Sequence, residues 1–554
     1  MSLHPLAVYR VPEDTARVAR AAFPKGHAYL RLRDELGAIY EDRAFADLLA
    51  TRGRPAIAPA QLALVTILQF AEGLSDRQAA DAVRARIDWK YVLSLELTDP
   101  GFDASVLCEF RARLLAGEQE TVLLDTLLTL CRERGLLKAR GRQRTDSTHV
   151  LAAVRALNRL EVVGETLRHA LDSLAIAVPD WLRAHAAPEW AERYARRADA
   201  ARLPQKQDAR EALALTIGMD GHALLAAVYD AAAPAWLREL PAVETLRRVW
   251  VQQYHLVEGA VRWRGSEDIP PAAVFISSPY DGDAHYARKH TTQWVGYKVH
   301  VTESCDEDLP HLITHVETAS GPTADGEATP AIHAALQERD LLPSVHLVDT
   351  GFLDAELLVT SRDEYGVELL GPTRGDYHWQ ARAGAGFDAQ HFQIDWEQQR
   401  ATCPEGRTSI SWTPAVDKRT NAVIKIKFST KDCRICASRP QCCRSRKKYP
   451  RRTITVRPQA QHEALLAARQ RQEAPAFAVA YAARAGIEGT LSRGVRTCEL
   501  RRTRYIGQAR THLGHVFTAV ALNFLRLGDW FTDLPRAKTR RSPFAKLMAD
   551  PLAA

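Results

Sequence analysis

The stretch Ser344-Val345-His346-Leu347-Val348-Asp349-Thr350-Gly351 is a short apolar run that ends in an acid and a glycine. It reads as a strand with Asp349 at its C-terminal end, followed by a helix from Asp354 to Tyr365 and a strand from Val367 to Gly371. Upstream, strand patterning covers Trp294 to Thr302 and His311 to Val316, and a helix is predicted from Ala331 to Glu338. Further upstream, Arg144-Thr-Asp-Ser-Thr-His-Val150 carries β-branched residues in alternation and reads as a strand bearing Asp146. The order β, insert, β, β, α, β, α, β predicts a mixed sheet with helices on its faces, so the core is α/β.

The remainder of the 554 residues is too long for one hydrophobic core and predicts a multidomain chain. Residues 1–140 read as an all-α domain, with apolar residues at helical spacing through Leu62–Leu68 and Val122–Leu130. Within it, Gly73-Leu-Ser-Asp76 is a turn with an N-cap ahead of a helix from Arg77. The pair fits a helix-turn-helix and equally an ordinary helical hairpin. Residues from about 151 to 265 predict a helical insert, and those from about 372 to 460 show weak periodicity. The last strong helices are Glu463 to Arg471, Phe477 to Glu488 and His512 to Leu527.

Charge is unevenly placed. The 74 Lys and Arg exceed the 67 Asp and Glu by seven, and nine basic residues (Lys431, Arg434, Arg439, Arg444, Arg446, Lys447, Lys448, Arg451, Arg452) crowd one short segment. A second basic run, Arg536 to Arg541, lies in the tail 531–554. Such clusters suit a polyanion such as nucleic acid, or form a solvated basic face. No secretory signal and no uninterrupted apolar span stand out, and the scattered, odd set of nine cysteines suits a reducing cytoplasm.

Asp146 and Asp349 sit where α/β sheets place functional groups. Two facing carboxylates need a cation between them, and hard oxygen ligands are what Mg²⁺ prefers. Glu488 is the third candidate acid, because Tyr481, Arg484 and Glu488 recur at helical spacing and share one face. Ser147 and His149 beside Asp146 are not expected to form a nucleophile and base.

The combination of a strand Asp, a strand-end Val348-Asp-Thr-Gly-Phe352 and a helical Tyr481-x2-Arg484-x3-Glu488 resembles the DDE transposases of bacterial insertion sequences. Gly53-Arg-Pro-Ala56, Leu68 to Ala79, Arg86-Ile-Asp-Trp-Lys90 and Asp99-Pro-Gly-Phe102 are similar to their InsH-type N-terminal domain. Thr145-Asp-Ser-Thr148, Ser278-Pro-Tyr-Asp-Gly-Asp283 and Gly296-Tyr-Lys-Val-His300 resemble the IS-eleven-eighty-two group of the IS-five-like set.

The resemblance implies an RNase H-like catalytic domain over 141–530 with Asp146, Asp349 and Glu488 as an acidic triad for two Mg²⁺ or Mn²⁺ ions. It further implies cleavage at transposon ends and strand transfer of a 3′-hydroxyl into target DNA by a homo-dimer or higher oligomer, in the bacterial cytoplasm on the nucleoid. A catalytically silent DNA-binding protein and a nuclease without strand transfer share these features. Tyr481 and Arg484 match the family's DNA-contacting pair. Where the family often has Lys, seven residues after the Glu, this chain has Val495, flanked by Arg493 and Arg496.

A structural zinc site is also expected, from Cys403, Cys433, Cys436 and Cys442, with Cys443 as a substitute for Cys442. The bland reading is a loop of reduced cysteines. The segment shows little apolar periodicity from which to build a core of its own.

Overall fold

A computed structural model describes residues 2–5, 9–198, 203–384, 386–445, 448–534 and 544. The basic run Arg536 to Arg541, together with Arg446 and Lys447 of the central cluster, lies outside the described residues.

The N-terminal region is helical as expected. Helix α1 (Pro59–Glu72) ends on Gly73, whose φ of 67° supplies the left-handed turn that stops it. Helix α2 (Asp76–Ala85) starts one residue earlier than predicted, because Ser75 and Gln78 form a reciprocal capping box.

Strand β1 (Arg142–Leu151) is the centre of the main sheet. The chain then leaves the sheet for a helical insert containing α3 (Arg159–Ala177), α4 (Gln207–Val228) and α5 (Pro241–Gln253). This insert has its own hydrophobic core, built around Val163, Leu167, Leu246 and Trp250. Close packing of α4 depends on glycine, since a Cβ at Gly221 would lie 2.0 Å from the Trp250 ring. The insert is less purely helical than predicted, for Tyr254–Val257 and Ala260–Trp263 pair as an antiparallel hairpin. Among the described residues α4 is the one helix long and apolar enough to cross a membrane; its Asp220 instead bonds Tyr194 at 2.5 Å.

The sheet resumes with β2 (His285–Lys289), which the sequence pattern did not disclose, then β3 (Thr292–Ser304) and β4 (Ile313–Ser320). Helix α6 (Ala328–Glu338), strand β5 (Val345–Leu347), helix α7 (Ala355–Tyr365) and strand β6 (Glu368–Leu370) complete it. The path is β2-β3-β1-β5-β6, with β4 also pairing β3. β1 runs antiparallel to β3 and parallel to β5.

The predicted strand Ser344 to Gly351 is shortened to its apolar centre. β1 and β5 pair only over Arg142–Arg144 and Val345–Leu347, so the two strands part just before Asp146 and Asp349. The open mouth that results is where both carboxylates lie.

Residues 393–456 depart most from expectation. They hold a three-stranded antiparallel sheet of β7 (Ser411–Val416), β8 (Ala422–Lys427) and β9 (Thr453–Val456), with a two-stranded piece beside it. Phe392, Ala401, Ile426, Phe428, Ile454 and Val456 bury a small core there. Short strands carry period-two apolar residues over only two or three positions, too few to register as periodicity.

The chain closes with α8 (Gln459–Glu473), α9 (Pro475–Ala482), α10 (Gly486–Thr497) and α11 (Gln508–Phe531). The single helix expected from Phe477 to Glu488 is broken by a 3-10 turn at Ala483–Ala485. Helix α11 packs on β4 and on α1, and one continuous hydrophobic cluster joins the N-terminal helices to the sheet.

Candidate active site

Three acids meet around one guanidinium. Arg484 Nη2 lies 2.8 Å from Asp146 Oδ2 and 3.8 Å from Asp349 Oδ2, and its Nη1 lies 3.2 Å from Glu488 Oε1. Asp146 and Asp349 each accept a backbone hydrogen bond, from the Ser147 and Gly351 amides at 2.8 and 2.7 Å. The latter bond makes Asp349 the cap of the turn Thr350–Phe352, which fixes its carboxylate at the end of β5. Burial pushes the Asp146 carboxyl above its ordinary pKa and Asp349 adds to this, against the opposing pull of Arg484 and the Ser147 amide. Glu488 is exposed at the rim.

The ring of Tyr481 stacks on Phe477 with centroids 5.4 Å apart. Burial, then the three acids against Arg484, raises its hydroxyl pKa. Arg493 is engaged by Asp529 at 2.9 Å, whereas Arg496 is exposed and donates to the Ser492 carbonyl of its own helix. Val495 packs against the hydrophobic core and so cannot stand for a basic residue at the mouth.

A buried network beneath the site was not foreseen. Glu303 on β3 is fully buried and pairs with Arg144 at 2.5 Å and with Arg526 at 2.7 Å, while Thr490 of α10 donates to it at 2.6 Å. Burial pushes the Glu303 pKa up, but Arg526, Arg144 and the Thr490 hydroxyl outweigh it and hold the carboxyl below its usual range. Arg144 also donates to the Ala483 carbonyl at 2.5 Å. A Cβ at Gly486 would meet the Arg144 guanidinium at 2.2 Å, so the helix break and the start of α10 are shaped around this side chain. Strand β1 thus holds the turn that carries Arg484 and the start of the helix that carries Glu488. The legible clue was Arg144 itself, two residues before Asp146 and therefore on the same strand face.

The five cysteines of the second insert lie close enough for Cys433 and Cys442 to feel the charges of their neighbours. Cys442 is pushed up to about 11 by burial, with Cys433, Cys443 and Cys403 adding to the shift, so its thiol is protonated. Among the described residues no group of three or more His, Cys, Asp or Glu is arranged to hold a metal ion. For the acids the physical reason is Arg484, whose guanidinium stands in for a cation among them. Both donor sets nevertheless suit cations, hard carboxylates for Mg²⁺ and thiols for zinc.

Two family models match the chain. Residues 402–528 match a transposase DDE domain, and residues 17–113 match a transposase domain. These matches indicate an insertion-sequence transposase family. The transposase DDE match contains Arg484 and Glu488, and the fold brings Asp146 and Asp349 to them from outside it. Comparison with curated proteins finds no match. A DDE domain implies a transposase, a nucleotidyl transferase that binds DNA, and such transposases generally use divalent metals.

Proposed function

We propose that this transposase cleaves DNA at the ends of its own insertion sequence and transfers the freed 3′-hydroxyl to target DNA, with Asp146, Asp349 and Glu488 as the catalytic acids. The observation that carries this reading is the meeting of those three carboxylates on Arg484. The strand order β4-β3-β1-β5-β6, with acids midway along β1, just past the end of β5 and on α10, supports an RNase H-like catalytic domain over 141–530. Bound Mg²⁺ or Mn²⁺, two ions in the full reaction, would supply activation of the attacking oxygen and stabilisation of the leaving one.

The protein's own groups do the rest. Asp146, raised in pKa by burial, is held ready to ionise fully beside a cation. Arg484 would bind a phosphate of the scissile strand, with Tyr481 and Phe477 offering a ring surface beside it. Arg496 adds exposed positive charge on α10. Residues 1–140 recognise the element's terminal repeats through α2, and the chain acts as a homo-dimer or higher oligomer on DNA in the bacterial cytoplasm. The thiols of Cys403, Cys433, Cys436 and Cys442, with Cys443 as substitute, hold a structural zinc.

The test is a strand-transfer assay with the element's own ends and Mg²⁺. Joined products that vanish in Asp349→Asn support the reading. Cleavage without joining would replace it with a nuclease, and unchanged joining by Asp349→Asn would remove Asp349 from the chemistry.

A further inference from the structure

From the last turns of α10 into the start of α11 runs a basic stretch that neither charge cluster of the sequence includes. Arg493, Arg496, Arg501, Arg502, Arg504 and Arg510 stand there against the single acid Glu499. Arg493 is paired with Asp529. Arg501, Arg502 and Arg504 are exposed, and among the described residues none of the three lies within ion-pair distance of a carboxylate. Guanidinium groups crowded in this way repel one another, and a polyanion laid across them relieves the repulsion.

Backbone bonds pin this stretch to the catalytic strand. The Leu151 amide donates to the Arg501 carbonyl at 2.8 Å and the Thr503 amide to the Leu151 carbonyl at 3.0 Å, so residues 501–503 lie beside the last residue of β1. Arg501 Nε donates to Thr148 Oγ1 at 2.9 Å, and Thr148 shares a strand face with Asp146, two residues back. The Arg501 guanidinium is thereby fixed on the acid's side of the sheet, about 7 Å further along the strand. At its other end the stretch meets the turn ahead of α2. Arg504 lies over the Phe70 ring at 5.5 Å and donates to the Leu74 carbonyl at 3.4 Å, and a Cβ on Gly73 would be 3.4 Å from the Thr497 carbonyl. Thr497 ends α10, the helix that begins beside Glu488, and the two residues are about 14 Å apart along it.

We propose that Arg501, Arg502 and Arg504 form a phosphate track that carries the backbone of the element's end from α2 to the catalytic acids, and that α10 fixes the length of that path. The acids repel the backbone on which they act, so the charge that holds it must come from groups close by that no acid already engages. Exposed guanidinium forks on a segment bonded to β1 meet that need. The length of α10 between Glu488 and Thr497 corresponds to roughly four base pairs of B-DNA at about 3.4 Å each. Bases read by α2 therefore lie within a few base pairs of the bond that is cut. The inference rests on the transposase reading above and adds the face of the chain along which the DNA runs.

The test is retardation of a duplex carrying the element's own terminal repeat, titrated with the full chain over a series of salt concentrations without divalent metal. Arg501→Ala and Arg502→Ala are each expected to make the slope of log K against log salt shallower by about 0.9, and the double variant by about twice that. Arg502 bonds no other side chain among the described residues, so its replacement is expected to leave the unfolding midpoint where it was. Arg183→Ala, an equal loss of charge on the helical insert, is expected to keep the wild-type slope. Ethylation of phosphates within the first few base pairs of the cut end should block binding of the wild type and lose that effect in the double variant. Wild-type slopes in both single variants overturn the proposal, as do an equal fall in Arg183→Ala and interference confined to phosphates further inside the element. Failure of the underlying reading looks different: the chain would then bind its ends with these slopes and neither cut nor join them when Mg²⁺ is added. A wild-type chain that does not bind the duplex at all overturns both.

Discussion

Arg484 is the neutralising charge among three acids, and on the proposed function it would also bind a DNA phosphate. Arg484→Lys keeps the charge but loses the fork that reaches Asp146, Asp349 and Glu488 at once. We expect it to retain the fold, and to lose about tenfold or more in cleavage rate where the interaction with the transition state is lost, read as kcat with saturating Mg²⁺. Glu303 differs in kind, because it touches no reacting group. Glu303→Gln leaves Arg144 and Arg526 without their buried counter-charge, and removing one partner of such a set costs about 3–5 kcal/mol. Chemical denaturation measures that loss, and a drop of less than about 1 kcal/mol would show the network to be dispensable. Histidines set a pH dependence. Burial pushes His300 and His333 down to about 4 and His515 to about 3, against an ordinary value of 6.5. The folded protein keeps these rings neutral while the unfolded chain takes up protons, so stability is full above pH 6.5 and falls as the pH drops through about 4. Urea midpoints at pH 7.5 and pH 5 should separate clearly, and equal midpoints would contradict the assignment.

At the level of elements, the strands that carry Asp146 and Asp349 were legible from their β-branched and apolar patterning, whereas the helix of Glu488 begins only at Gly486, not at Phe477. Asp349 could be placed at a strand terminus from the apolar run that precedes it. The break between α9 and α10 was hidden: Ala483 to Gly486 have nothing locally that stops a helix, and the cause is Arg144 packed against Gly486. Gly486→Ala should therefore disturb the site more than its mild change in helix propensity suggests, because the new Cβ must push the guanidinium aside. In the second insert the expectation of a coreless segment fails, for β8 and β9 bury Ile426 and Ile454 together. Zinc there would add to a fold that already has a core. Metal analysis of protein purified without chelator should give about one zinc per chain, lost in Cys433→Ser with Cys436→Ser, with the insert's strands retained in circular dichroism.

On the scale of the whole molecule, the helices of residues 1–140 share one hydrophobic core with the sheet and the last helix. Phe70 of α1 stacks edge-on against Phe517 of α11 at 5.3 Å, and Tyr29 meets Phe524 at 5.8 Å. Gly528 lies against Leu32, where a Cβ would already be at 3.3 Å. Helix α11 in turn covers β4 on its other side, and Asn523 bonds the Ile313 backbone through both its amide atoms at 2.7 and 2.8 Å. Removing the N-terminal helices would expose that face to water at about 1.5–3 kcal/mol for each large apolar side chain. Three or four such side chains match the roughly 5–15 kcal/mol by which a folded domain is stable. The truncated chain is therefore expected to aggregate or lose its cooperative unfolding transition, and its failure to bind DNA would say nothing about recognition. Point changes on the exposed face of α2 avoid this, since Arg77 is exposed and sits clear of the capping box of Ser75 and Gln78. Arg77→Ala should leave the unfolding midpoint unchanged and weaken binding to the element's own ends by about 1–3 kcal/mol in gel retardation, while binding to unrelated DNA falls less. An equal loss on both DNAs would make Arg77 a phosphate contact and move recognition to another face of these helices.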